Sequence, residues 1–200
     1  MPIGGARRAE AVEIAKEIFW KSGYADASIA EIVEATGLNR YALYSEFGGK
    51  RELFLEALDS YYNQCGEKYH AAVQDPKLKP LERIQIVLQM MAEDVGAQER
   101  GCLMCQIAVE VAREDEGIGT AVGSYFEQIR DALEAPLAEA AAAGELNPNL
   151  SPKDAATVVF DAKMSLGVHA RSGADPEQWR RIVAATMAAI SAPPLAPSTT

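Results

Sequence analysis

Three cysteines and two histidines are the whole stock of thiol and imidazole metal ligands in this 200-residue chain. Cys65, Cys102 and Cys105 are odd in number, which excludes the paired framework that staples small secreted domains. His70 and His169 stand at no ligand spacing to Cys102 and Cys105, so no zinc set is legible. No stretch approaches the roughly 18 to 20 uninterrupted apolar residues that span a bilayer. The opening MPIGGARRAEAVEIAKEIF puts charges straight into an amphipathic pattern and does not read as a signal peptide, so a cytoplasmic location is expected. Catalytic groupings are missing as well. No Ser/His/Asp set and no phosphate-cradling loop occurs. The single Glu67-x-x-His70 lacks the second Glu-x-x-His that di-iron chemistry in a helical bundle needs, because Leu166 stands three before His169. Neither an enzyme nor a cofactor or metal is expected.

What is present is an ordinary globular composition, 48% hydrophobic and 24% charged. The net charge of −10 argues superficially against nucleic acid, since phosphate neutralisation carries most non-specific affinity. The distribution matters more than the total. Residues 1–60 hold seven Lys/Arg against ten Asp/Glu, and the remainder twelve against nineteen. The acidity therefore lies mainly toward the C-terminus and leaves a local basic face at Arg7, Arg8, Arg40, Lys50 and Arg51.

Periodicity is helical almost throughout, and no alternating segment suggests a strand. Ala11, Ile14, Ala15, Ile18 and Phe19 mark a first helix that ends at Ser22-Gly23. Ser28 and Glu31 form a capping box before Ile32 and Val33, and Thr36-Gly37 stops this short second helix. Asn39 caps a third that carries Leu43, Tyr44 and Phe47. A fourth begins near Lys50, with Leu53, Phe54, Ala57, Leu58 and Tyr61 on one stripe. Pro80 opens a fifth that runs to about Ala97. A sixth extends from Cys102 to about Ala112. The seventh runs from about Gly117 to Ala143, with a kink expected at Pro136 and Gly144 as its C-cap. Ser151-Pro152 and Asp175-Pro176 each begin another helix.

The last two helices differ from the rest. The eighth is apolar over more than one face and must be covered on two sides. The ninth opposes a stripe of large residues to small ones at Ala184, Ala185, Ala188 and Ala189. Both are either buried in the monomer or paired across a four-helix dimer interface; the homodimer is the reading adopted, with Val159, Leu166, Trp179, Val183 and Met187 at the interface.

The second and third helices, joined through Ala35-Thr36-Gly37-Leu38, have the length and turn glycine of a helix-turn-helix. The third exposes polar and small residues where a recognition helix meets base edges. Several matches come in order: Ala15-x-x-Ile18-Phe19, Gly23-Tyr24, Ser28-Ile29-x-x-Ile32, Gly37-Leu38-Asn39-Arg40-Tyr41-Ala42-Leu43-Tyr44 and Phe47-Gly48-Gly49-Lys50-x-x-Leu53-Phe54. Over this stretch the chain resembles the TetR/AcrR family of repressors. The run Arg100-Gly101-Cys102-Leu103-Met104-Cys105 resembles the start of the sixth helix in one of its subgroups.

The resemblance implies an all-α fold of about nine helices, with an N-terminal three-helix helix-turn-helix bundle and a helical dimerisation and ligand-binding domain. Expected boundaries are 1–60, 61–192 and a Pro-rich tail at 193–200. It implies a homodimeric repressor on double-stranded, palindromic operator DNA, released by a small-molecule effector or by thiol modification. DNA contacts would come from Ser28, Asn39, Arg40, Tyr41, Ala42, Tyr44, Ser45 and Lys50. Ser28 would offer a phosphate contact at a helix start, Arg40 would reach phosphate or guanine, and Tyr41 and Ala42 would face bases. Tyr44 is either a core aromatic or a backbone contact. Tyr41 departs from a common glycine, and Ser45 and Glu46 stand where aromatic residues or histidine are frequent. Glu46 accepts from cytosine, repels the backbone or pairs with a base such as Lys50; the ion pair is the reading adopted.

For sensing, Tyr62, Met90, Met91, Met104, Tyr125, Phe126, Phe160 and Met164 are the candidate lining, which suits a small apolar or aromatic effector; the same residues at helical spacing also serve as plain core. Cys102 and Cys105 lie on nearly one helix face. They are either core residues or a thiol sensor, with the helix dipole acting on Cys102.

Overall fold

The computed structural model describes residues 4–98, 100–173 and 175–193, the side chains of 95–98 excepted. Among these residues there are nine helices and no strand. They are α1 (Gly5–Ser22), α2 (Ile29–Thr36), α3 (Arg40–Phe47), α4 (Lys50–Val73), α5 (Pro80–Gln98), α6 (Leu103–Glu110), α7 (Glu116–Ala142), α8 (Pro152–Arg171) and α9 (Pro176–Ile190). No helix among the described residues is long and apolar enough to cross a membrane. The expected tail from 194 onward lies outside the described residues.

Local chemistry accounts for most boundaries. Ser28, Asn39, Ser151 and Asp175 each accept a hydrogen bond from the backbone N–H three residues on, which satisfies an orphan donor of the helix that follows. The reciprocal capping box is complete at Ser151 and Asp154, whereas at Ser28 the serine half is the one seen. Gly37 and Gly48 close α2 and α3 in the left-handed region, at φ of 65° and 90°. One boundary is revised. α6 ends at Glu110 instead of continuing to Ala112, with Val111 in a non-helical conformation. α7 runs on through Pro136, whose ring is buried and simply forgoes one backbone donor.

The chain divides into two compact units. The first takes the described residues within 4–68 and 102–125, the second those within 69–101 and 126–193. α4 and α7 each begin in the first unit and end in the second.

The first unit is built on aromatic packing. Phe19 meets Phe54 edge-on at 4.8 Å, Tyr24 lies 4.7 Å from Phe54, and Trp20 meets Tyr61 at 5.0 Å. Ile32, Leu43, Leu53 and Leu58 are fully buried around them. The second unit packs α5, α8, α9 and the later part of α7 around Ile84, Leu88, Leu137, Leu166 and Ile190. A short antiparallel bridge between Leu146 and Ser191 fastens the end of α9.

Candidate nucleic-acid interface

α3 divides its eight residues by face. Leu43 and Phe47 are buried, while Arg40, Tyr41, Tyr44 and Ser45 are exposed. The exposed set falls at i, i+1, i+4 and i+5, a continuous stripe on a 3.6-residue helix. Tyr41 is 81% exposed and Tyr44 50%, unusually open for rings of that size. Ala42 is half-buried and its N–H is held by Asn39 Oδ1 at 2.7 Å. Ser45 Oγ donates to the carbonyl of Ala42 at 3.2 Å. Asn39 and Ser28 are exposed as well as capping, so each meets solvent at a helix N-terminus, where N–H groups favour an anion.

Not every cation of the expected basic face is free. Arg8 donates from both terminal nitrogens to Glu56, each bond 2.6 Å, and its guanidinium lies 4.6 Å from the centre of the Phe47 ring. Arg51 donates to Asp115 at 2.7 and 2.9 Å. Lys50 donates to the carbonyl of Ala25 at 3.2 Å and rests over the Tyr24 ring at 4.7 Å. Burial pushes the Lys50 ammonium down, against the opposing pull of Glu110 and Asp26. Arg7 is exposed and donates to Gly37 O in the turn at 3.2 Å. The Glu46–Lys50 pair is not formed. Glu46 faces Arg8, which approaches its carbonyl at 3.5 Å and is raised in part by its charge, after the larger effects of Glu56 and burial.

Two carboxylates beyond the helix-turn-helix fix its placement in the first unit, and neither was singled out from the sequence. Glu110, at the end of α6, accepts from the Ala25 N–H at 2.7 Å. Asp115 pairs with Arg51 and accepts from the N–H groups of Gly117 and Ile118 at 3.0 Å, so it also caps α7. The Arg51 hydrogen bond, with the Ile118 and Gly117 N–H groups, holds the Asp115 carboxyl down at about 2. A third polar cluster ties α1 to α4. Lys16 is buried and donates to Gln64 Oε1 at 2.7 Å and to Glu13 at 2.5 Å; Ser60 also donates to Glu13. Burial would raise Glu13, but the bonds from Lys16, Ser60 and Gln64 outweigh it and hold the carboxyl at about 2.

The candidate sensing residues separate between the units. In the first, Tyr62 and Tyr125 stack at 4.6 Å, and Tyr125 donates to Asp59 at 3.3 Å. Cys102, Met104 and Cys105 are buried there, and the Tyr61 hydroxyl donates to Cys102 Sγ at 3.6 Å. In the second unit, Phe126 meets Phe160 at 5.3 Å. Met91 and Met164 pack against its core, and Met90 is half-buried. Of the expected interface residues, Val159, Leu166 and Val183 are buried in that core, with Trp179 and Met187 packed against it. The outward surface of α8 and α9 carries Val168, 57% exposed, and the exposed Ala184, Ala185, Ala188 and Ala189. No group of three or more acidic, His or Cys side chains able to hold a metal occurs among the described residues.

Two short helices joined through a glycine turn, the second with a solvent-facing stripe of arginine, tyrosine and serine, have the form of a helix-turn-helix. Comparison with known proteins agrees. Residues 12–57 match the family model described as bacterial regulatory proteins, tetR family, and residues 80–189 match the tetracyclin repressor-like C-terminal domain. The chain belongs to the tetR family of bacterial regulatory proteins and is a DNA-binding transcriptional repressor, not an enzyme.

Among its relatives is the HTH-type transcriptional repressor ComR of Escherichia coli, 25% identical over 182 residues that cover 90% of this chain and 87% of that protein. A solved structure of the regulator CifR, in a cysteine-substituted form on 26-base-pair operator DNA, is 26% identical with a TM-score of 0.81. It covers 91% of this chain and 96% of its own. Reduced NemR of E. coli superposes with a TM-score of 0.85 over 95% of this chain and all of its own, at 16% identity, a likeness of fold alone.

Proposed function

We propose that this repressor acts as a homodimer on a palindromic operator, with residues 1–60 as its DNA-binding domain and 61–192 as the sensing and dimerising part. The observation that carries the reading is the exposed α3 stripe of Arg40, Tyr41, Tyr44 and Ser45, set over buried Leu43 and Phe47. Arg40 supplies a charged fork for phosphate or a guanine edge, and Tyr41 an aromatic surface for a thymine methyl. Ser28 and Asn39 present capped helix N-termini to phosphates. Lys50 exchanges the Ala25 carbonyl for a phosphate oxygen. The outward alanines of α9 and Val168 of α8 offer a close-packing surface for a second copy, whose symmetry sets two half-sites about 34 to 36 Å apart. The cytoplasm is the compartment in which such a repressor meets its operator.

Release is assigned to the helical body. An effector that binds the non-gripping conformation more tightly shifts the population away from DNA. A specific observation favours a thiol route beside it: Cys102 stands at the N-cap of α6 and accepts from the hydroxyl of the half-buried Tyr61, so modification of the sulfur must break that contact at the start of α6. The test is binding to the DNA upstream of the protein's own reading frame, measured with wild type, Arg40→Ala and Lys50→Ala. Loss of affinity in both variants at unchanged stability is expected; equal affinity in all three overturns the DNA-binding reading. For the thiol route, Cys102→Ser abolishes release by electrophiles or peroxide, and release that persists in this variant eliminates it.

A further inference from the structure

Arg130 of α7 lies in the second unit with its guanidinium 4.8 Å from the centre of the buried Phe160 ring on α8. Phe126, one turn earlier on α7, meets the same ring edge-on. Met91 and Met164 are only partly buried against this core. Arg130 itself is half-buried, and among the described residues it makes no hydrogen bond or ion pair. That is unexpected from the sequence. Glu127 and Glu134 stand three before it and four after it on the same helix, the spacings at which helix-surface ion pairs form. The second unit as a whole carries more acidic than basic residues. The guanidinium instead crosses from α7 onto an aromatic face of α8.

We propose that this arginine is the anchor of a site for an organic anion, a carboxylate on an aromatic or otherwise planar apolar body. A cation held over a ring face by the charge–quadrupole attraction spends no carboxylate pairing on it. The in-plane N–H groups remain, and they form a fork that matches a carboxylate in bidentate fashion. Partial burial makes such a pair stronger than one in open water. Phe160 is buried beneath the guanidinium; the partly buried Phe126, one turn before Arg130, is the aromatic surface left for the apolar body to pack on. The partner that the acids of α7 do not provide comes from the ligand. As the identity of the releasing effector, this assignment rests on the reading of the chain as an effector-released repressor; as a binding site it stands on the second unit alone.

The test uses the full-length protein and three matched pairs of probes: benzoate and benzamide, salicylate and salicylamide, 1-naphthoate and 1-naphthamide. Thermal denaturation reads binding, and fluorescence anisotropy of labelled upstream DNA reads release. At least one carboxylate is expected to raise the melting temperature by several degrees and to bind at least tenfold more tightly than its amide. Arg130→Gln, which keeps the side chain long and polar, is expected to lose that tenfold while its own melting temperature and DNA affinity stay those of wild type. The site is overturned if no carboxylate of the panel shifts the wild type, if amides bind as well as acids, or if Arg130→Gln binds the acids unchanged. Binding of an acid that leaves DNA occupancy untouched supports the site and removes its role as effector. Failure of the wild type to bind the DNA without any probe counts against the repressor reading instead.

Discussion

Arg51 and Asp115 are joined by two hydrogen bonds, 2.7 and 2.9 Å, across 64 positions of sequence. Arg51 is the second residue of α4, directly after the helix-turn-helix, and Asp115 caps α7 through Gly117 and Ile118. One carboxylate thus fixes a helix start and holds the base of the reading head. Asp115→Asn keeps an oxygen for the α7 N–H groups but loses the charge. Its expected phenotype is near-normal folding with DNA binding retained, and an effector of the kind proposed above shifts the DNA affinity of this variant less than that of wild type. Paired titrations of operator DNA, with and without effector, measure that coupling. An unchanged ratio would show the pair to be dispensable for signalling.

Acid stability follows from the two depressed carboxyls. Glu13 falls from 4.5 to about 2 and Asp115 from 3.8 to about 2. A group whose folded-state value is lowered adds stability above its unfolded value, and that stability is lost as the pH falls through the folded value. The protein should therefore weaken progressively between about pH 4.5 and 2. Glu13→Gln should flatten this part of the curve, as followed by urea denaturation at stepped pH. A slope identical to wild type would remove Glu13 from the account.

Salt dependence gives a sharper test of which cations touch DNA. Arg8 is engaged by Glu56 and Arg51 by Asp115, which leaves Arg7, Arg40 and Lys50 as phosphate partners near the head. About three phosphates per protomer predict a slope of log K against log salt of roughly −5 for the proposed dimer. Arg40→Ala should reduce the magnitude by about 2, and Arg8→Ala should leave it unchanged. A slope that drops equally in the two variants would show that Arg8 leaves Glu56 to reach DNA.

Asn39 has two roles that one substitution separates. Its Oδ1 caps α3 at Ala42 N, a contact of the kind worth ~1 kcal/mol. Asn39→Asp keeps the cap and adds a negative charge to an exposed position beside the DNA-reading stripe. Thermal stability should match or exceed that of wild type while operator affinity falls at least tenfold. Retained affinity would place Asn39 away from phosphate.

Gly23 tests the contact between α6 and the α1–α2 turn. Its φ is 86°, and a Cβ there would lie 2.6 Å from a Glu110 carboxylate oxygen, so Gly23→Ala must displace the group that accepts from Ala25 N. Backbone strain of this kind costs about 1–3 kcal/mol. The variant should melt lower, and Glu110→Ala in the same background should add little, because the two changes share one contact. Fully additive losses would separate them.

The parts of this architecture legible in the sequence are those set by local chemistry. Ser28, Asn39, Ser151 and Asp175 were readable as caps because a cap acts within three residues. The exposure of Arg40 and Tyr41 at the start of α3 was readable because helical period separates them from Leu43 and Phe47, whereas Tyr44 stood open between core and surface until its 50% exposure placed it outside. Long-range partners were not. Lys50 turns to a carbonyl 25 residues back, and Glu46 meets Arg8 of α1 through its main-chain carbonyl. Nothing near Glu110 or Asp115 marks them as partners of the turn at Ala25 and of Arg51. In α8 and α9 the large apolar residues expected between protomers, Val159, Leu166 and Val183, fill the chain's own core, because the greatest apolar area is covered first within the chain. The small residues are the ones left outward.

The open rings of α3 carry a consequence for calorimetry. Tyr41 and Tyr44, 81% and 50% exposed, hold aromatic surface that the free protein leaves in water. Phosphate contacts alone would leave it there, since they displace counterions and cover little apolar area. Docking in a matched major groove would cover it and produce a negative heat-capacity change. Operator and random DNA should thus differ in the temperature dependence of their binding enthalpy even where their affinities, at low salt, draw close.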